Sequence, residues 1–221
     1  MNLAQGLERR LEKLADGASA SLFRGTMHPI DIATRLVHQL EYLEIDSPSG
    51  PQVPNDLTVS MHESDLDPTI NRGALARELE HAITQTAMER GWKLIGATEI
   101  QILTDGSTPR GIIECKGVFE PTPLEAWAQL IADDGSAVLP ISFNRTLIGR
   151  DLDCDVRITN PEISRHHAVL FREDERSFLT DLGSSNGTTV NAGRVLDSPI
   201  AVITGDNVLL GDLSFTYRTI A

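Results

Sequence analysis

The sequence is poor in cysteine, in aromatic residues and in positive charge. Its 221 residues include two cysteines and 5% aromatics, with 19 Lys+Arg against 32 Asp+Glu, a formal net charge of −13. Cys115 and Cys154 are too few and too far apart in the chain for a disulfide framework or a cysteine-built metal cluster. The acidic balance argues against a chain that coats nucleic acid or inserts into an anionic membrane. No run approaches the ~20 apolar residues of a membrane span. The N-terminus lacks the apolar core of a secretion signal, so a cytoplasmic location is expected. Catalytic signatures are missing as well: there is no P-loop, no G-x-S-x-G and no H-E-x-x-H. Asp151, Asp153 and Asp155 are close in sequence, but the glycine and final glutamate of a calcium loop are absent. We therefore assign no catalytic residue, no cofactor and no metal ligand.

What is present suits a packed core. Hydrophobic residues make up 40% of the chain and charged residues 23%, ordinary globular values, and the length accommodates two domains. The charge is unevenly spread. Residues 1–136 carry a balance of −10 and residues 137–221 only −3. An anion site therefore belongs to the second half and must be local.

The first half mixes two periods. Leu3, Leu7, Leu11, Leu14 and Ala18 recur at helical spacing. A second helix is predicted from Pro29, with Asp31 in its first turn and Ile32, Leu36, Leu40 and Leu43 as its stripe. Three prolines and a glycine make 46–54 a loop. Strict alternation over 56–62, with Leu57, Val59 and Met61 on one side, predicts a strand. A third helix over 73–90 is followed by Gly91. Strands at 97–103 and 112–119 complete an α+β unit of order α-α-β-α-β-β, placed at 1–120. Pro121 and Pro123 open a short linker, 121–136, whose middle suits either a short helix or a strand.

From residue 137 to 221 the texture changes. Short apolar runs recur every 8–12 residues, separated by Gly, Asn and Asp, and no helical period survives. This spacing predicts an all-β sandwich. The chemistry-bearing residues fall between the strands. Arg150 offers a planar fork of donors suited to phosphate oxygens. Ser164 adds a hydroxyl and Arg165 a second cation. Ser185 and Asn186 sit in a Gly-Ser-Ser-Asn-Gly turn, and Asn carries both a donor and an acceptor. His166 and His167 are adjacent, so in or near a strand their side chains diverge and do not chelate one ion.

The order of these pieces is Gly149-Arg150, Ser164-x-x-His167, Ser184-Ser185-Asn186-Gly187-Thr188, then Val190-Asn191. It closely resembles the forkhead-associated (FHA) domain. The resemblance implies a phosphothreonine-binding β-sandwich. Arg150 and Ser164 would hold the phosphate, Arg165 and Ser185 would flank the phosphothreonine, and Asn186 would grip the peptide main chain. Gly149, His167, Gly187 and Thr188 would be structural at the site. One departure is Ala192, which stands between Asn191 and Gly193 where the family usually has glycine directly after asparagine.

Residues 1–120 resemble the N-terminal domain of bacterial FhaA-type proteins, through Leu7–Glu12, Phe23-Arg24-Gly25, Pro29–Ala33 and Val53–Asp56. The joint resemblance implies an adaptor downstream of a bacterial Ser/Thr kinase, acting in cell-wall synthesis or division control. Its partner would be a threonine-phosphorylated kinase, pseudokinase or kinase substrate, which would also recruit the chain to the membrane. Thr104, Thr108 and Thr122 are among the threonines open to the same kinase. The alternative is a nucleic-acid-binding first domain regulated by the FHA module. Few aromatics, the −10 balance and the lack of a G-x-x-G loop disfavour it, so no nucleic-acid partner is expected.

Overall fold

The structure, a computed structural model, describes residues 27–173 and 176–220. The helix predicted over residues 3–18 lies outside them. The chain divides into two compact units.

The first unit comprises described residues up to 45, then 52–90 and 94–122. Helix α1 (Pro29–Tyr42) starts where expected: Pro29 occupies the first turn, and His28 caps it by accepting a hydrogen bond from the Ile30 amide. Its buried stripe is Ile32, Ala33, Leu36, Val37 and Leu40. Strand β1 (Asp56–Met61) buries Leu57, Val59 and Met61 by alternation. Helix α2 (Arg72–Arg90) buries Leu75, Leu79, Ala82, Ile83 and Thr86. Asn71 accepts the Ala74 N–H at 3.0 Å at its start. Strands β2 (Glu99–Thr104) and β3 (Ile113–Val118) flank β1, parallel and antiparallel respectively. Buried Asn55 fastens the sheet end. Its amide donates to Ala97 O and Glu120 O, and its oxygen accepts the Glu120 N–H. Of the threonines named above, Thr108 is buried at 4% exposure, which closes it to a kinase.

The second unit spans residues 123–220 and takes in two short segments, 46–51 and 91–93. It is a two-sheet sandwich. Strands β4 (Ala128–Ala132), β5 (Val138–Ile141), β10 (Thr188–Val190), β11 (Gly193–Arg194), β13 (Asn207–Leu210) and β14 (Leu213–Thr219) form one sheet, ordered β11-β10-β13-β14-β4-β5. The other is β12-β9-β8-β6-β7, built from β6 (Arg145–Gly149), β7 (Val156–Arg157), β8 (Ala168–Glu173), β9 (Arg176–Asp181) and β12 (Ile200–Val202). Between them lies an apolar core that includes Leu130, Ile141, Ile148, Leu170, Leu179, Val208, Leu210 and Tyr217. The Tyr217 hydroxyl donates to Ser177 Oγ at 2.7 Å, which satisfies it inside that core.

The linker boundary differs from the sequence reading, and the Ala192 position is accommodated without loss of its turn. Residues 128–132, read as part of the linker, form a strand paired with both β14 and β5. Burial of Ala128, Leu130 and Ala132 on the core face decides the matter. The Asn191-Ala192 turn keeps its hairpin, with Ala192 held at φ 68 and Asn191 at φ 49.

The two inserted segments are bound to the sandwich by polar contacts. Asn144 donates to Trp92 O at 2.8 Å, and Arg145 Nε donates to Ser49 O at 2.6 Å. Lys93 Nζ reaches both oxygens of Asp155 at 2.7 Å. The two side chains are only 9% and 12% exposed. Asp155 also accepts the Leu147 N–H at 2.7 Å, at the strand that leads to Arg150.

Two predictions follow from these strained and buried positions. Lys93→Met strands Asp155 without its counter-charge and should cost about 3 kcal/mol in chemical denaturation. Ala192→Gly removes a side chain from the left-handed region and should stabilise the chain by about 1 kcal/mol in the same assay.

Candidate functional site

The sequence-predicted residues lie on three loops that are hydrogen-bonded to one another. Strand β6 ends at Gly149, which is buried. A Cβ there would lie 2.1 Å from Arg165 O, so only glycine admits the second loop at this distance. The Arg150 N–H donates to Ser164 O at 3.0 Å, and the Asp151 N–H donates to Arg165 O at 3.2 Å. These two bonds zip the first loop to the second.

Ser164 joins the second loop to the third, because its Oγ accepts the Ser185 N–H at 3.0 Å. The buried joint is His167, which has 0% exposure. Its Nδ1 accepts the Ser164 N–H at 3.2 Å. That bond fixes the proton on Nε2, which donates to Gly187 O at 3.2 Å. The strut works only as neutral imidazole. Burial pulls its pKa below the ordinary value, against the opposing pull of the Gly187 carbonyl and Asp181. Gly187 itself is held at φ +84, in the left-handed region.

Asp181 organises the third loop from below. It accepts the Ser184 N–H, the Ser184 hydroxyl and the Thr188 hydroxyl, at 2.8, 2.6 and 2.6 Å. Burial opposes its ionisation, but these hydrogen bonds outweigh burial and keep its pKa below the usual carboxylate range. Ser184 Oγ in turn accepts the Gly187 N–H at 3.0 Å. Thr188 is buried and bonded downward, which is a structural placement.

The exposed polar atoms stand on this frame. Arg150 is anchored through Nε to Ile163 O at 3.1 Å. Its terminal nitrogens have no partner among the described residues, and the side chain is exposed. Arg165 and Ser185 are exposed beside it. Asn186 donates both to Glu162 O at 2.9 Å and to Glu162 Oε2 at 2.7 Å, which leaves its oxygen as the open acceptor. Arg150, Ser164, Arg165, Ser185 and Asn186 therefore share one cradle of loop tips.

Three participants were not singled out in the sequence. Arg157 donates through Nε to Arg150 O at 3.1 Å, which sets a third guanidinium at the cradle. Glu162 holds Asn186. Asp181 supports the third loop. A sequence gives no sign of Arg157, because its position depends on the parallel pairing of Gly149 with Arg157.

His166 and His167 diverge as expected. His167 points inward, and His166 Nε2 meets Asp153 at 2.9 Å. Asp153, Cys154 and His166 bring potential ligand atoms within 4.8 Å of one another. The Cys154 thiol, however, donates to Arg165 O at 3.1 Å. Burial, reinforced by the nearby carboxylates, pushes its pKa up to about 11. A protonated thiol tied to the backbone is a loop fastener and a poor ligand.

The His167 strut makes the fold sensitive to mild acid. A histidine with a depressed folded pKa contributes stability that is complete above about pH 6.5 and is lost as pH falls toward the folded value. Asp181, a depressed carboxylate, acts in the same direction at lower pH, losing its contribution only below about pH 4. The melting temperature should therefore drop between pH 7 and 5.5, and the drop should be smaller in His167→Asn.

Known protein families match both parts of the chain. The family profile "FHA domain" matches residues 146–211, and "FhaA, N-terminal domain" matches residues 4–116. A stretch of 87 residues is 35% identical to the FHA domain-containing protein FhaA of Mycobacterium tuberculosis, covering 39% of this chain and 16% of that protein. Another of 86 residues is 36% identical to the mouse proliferation marker protein Ki-67, covering 39% of this chain and 3% of the relative. This chain thus spans a small part of these relatives. A crystal structure of the FhaA FHA domain, complexed with the intracellular domain of Rv3910, aligns at 32% identity with a TM-score of 0.38, over 41% of this chain and 99% of that one. FHA domains are non-catalytic readers of phosphorylated motifs. With these two profiles over residues 4–116 and 146–211, the chain belongs to the FhaA family, an FhaA N-terminal domain followed by an FHA domain.

Proposed function

We propose that this chain is an adaptor that binds a threonine-phosphorylated protein through Arg150, Ser164, Arg165, Ser185 and Asn186, and that it catalyses no reaction. The observation that carries this reading is the Arg150 side chain, fixed at Nε with its terminal nitrogens open, beside Arg165 and the Ser185 hydroxyl. A phosphothreonine carries about −1.5 to −2 charges at neutral pH. The guanidinium fork meets such an oxyanion with two donors at fixed spacing. Arg165 and Arg157 add attraction without being buried, and the Ser185 hydroxyl donates to a phosphate oxygen. The open Asn186 oxygen accepts a peptide N–H beyond the phosphorylated residue.

The partner is a phosphorylated kinase, pseudokinase or kinase substrate in a bacterial Ser/Thr kinase pathway, and the setting is cell-wall synthesis or division. The likeness to FhaA supports this setting. Residues 137–221, together with the strand at 128–132, make the reading module. Residues 1–120 make the second functional part of the adaptor, which works in the cytoplasm and reaches the membrane through its partner. Among the described residues, no helix is long and apolar enough to cross a membrane.

Each hydrogen bond to a charged group contributes roughly 1.5–3 kcal/mol. Arg150→Ala removes at least two, so phosphopeptide affinity should fall about 100-fold. Fluorescence polarisation with matched phosphorylated and unphosphorylated threonine peptides measures it. Equal binding of both peptides, or equal affinity of Arg150→Ala and wild type, would overturn the assignment.

A further inference from the structure

Beside the cradle lies a groove of about 500 Å³ that the phosphate site does not use. Its floor includes Leu139, Ile158 and Phe215, and its rim carries Asp133, Asp134 and Asp212. We infer that this groove takes a lysine or arginine side chain of the same phosphorylated segment, close to the phosphothreonine in sequence, so that the module selects basic phosphopeptides. The inference rests on the phosphothreonine reading and deepens it.

Continuity with the cradle is the first support. Arg157 lines the groove and pairs with Gly149 in the ladder of β6 and β7. Gly211, which precedes Asp212, donates its N–H to Gly187 O at 2.9 Å, next to Asn186. The lining of the groove is therefore tied by backbone pairing to two edges of the cradle, and an extended peptide, which advances ~3.3 Å per residue, is the ligand form that spans both.

Charge complementarity is the second support. The groove carries three carboxylates and one guanidinium, and that guanidinium is committed through Nε to Arg150 O, at the phosphate end. Asp133 is held in place by Ser214, Thr216 and Asn207. Asp134 accepts the Ser136 N–H at 2.8 Å. Hydrogen bonding from Ser214 and from Ser136 respectively keeps both acids below the usual carboxylate range, so both are ionised at neutral pH. A long basic side chain suits such a lining, with its methylene stem on the apolar residues and its cation at the carboxylates. An acidic side chain meets repulsion from three carboxylates.

The test is a phosphothreonine peptide set with Lys, Glu, Leu or Ala placed at each flanking position in turn. It is read by fluorescence polarisation on the full chain and on the Asp134→Asn/Asp212→Asn double variant, which spares the more heavily bonded Asp133. In wild type, Lys at one position should bind about five- to tenfold tighter than Ala at that position. The Lys-to-Ala ratio should shrink toward one in the double variant and at high salt. Equal affinities for Lys and Ala at every position, a stronger preference for Leu or Glu, or a Lys preference that survives in the double variant would overturn the inference. If phosphorylated and unphosphorylated peptides bind alike, the phosphothreonine reading itself fails, and this inference fails with it.

Discussion

One buried imidazole holds the second and third loop tips in register, and the first is zipped to the second by backbone hydrogen bonds. His167 receives the Ser164 N–H on one nitrogen and gives its proton to Gly187 O from the other. It thereby spans the second and third loops at a point from which water is excluded. In a low-dielectric interior, a satisfied pair of hydrogen bonds is strong and an unsatisfied polar group is costly. The geometry has one good solution, and the neighbouring side chains conform to it. Gly149 stays bare so that Arg165 O can approach, and Asp181 fastens the remaining loop from beneath.

This arrangement separates holding from binding. The atoms that hold the loops are backbone groups, the buried His167 and Thr188, and the half-buried Asp181 and Ser184. The atoms left over are the Arg150 terminal nitrogens, the Arg165 guanidinium, the Ser185 hydroxyl and the Asn186 oxygen, all exposed. On the proposed reading, a ligand anion would meet donors whose backbone positions are already fixed. Preorganisation of this kind lowers the ordering cost of binding, which otherwise consumes much of the energy of each contact. This half of the chain carries a net −3, so the positive charge at the cradle comes locally from Arg150, Arg157 and Arg165.

The buried pair of Lys93 and Asp155 extends the same logic along the chain. Asp155 closes the loop that begins at Arg150 and accepts the Leu147 amide. A lysine more than sixty residues earlier neutralises it inside the same compact unit. The sandwich is thus completed by residues outside its own stretch of sequence, which the contacts of Ser49 and Trp92 also express.

How much of this was legible depends on the range of the interaction. Alternation at 56–61, the helical stripe from Leu75 to Thr86 and the β-runs after 137 are local periodicities, and the strands and helices fall where those periods place them. The motif from Gly149 to Thr188 was legible because turn chemistry and charge-bearing loops are also local. The strand at 128–132 was ambiguous, since five residues between prolines and a glycine carry no decisive period and only pairing with β14 and β5 settles them. Arg157, Glu162 and Lys93 gave no signal at all, because their roles exist only across ladders and loops joined by distant residues. The sequence alone determined the order of elements and the chemical kinds of group available. Tertiary structure decided which groups meet, because hydrogen bonds and ion pairs form by distance in space, and residue spacing along the chain does not encode that distance.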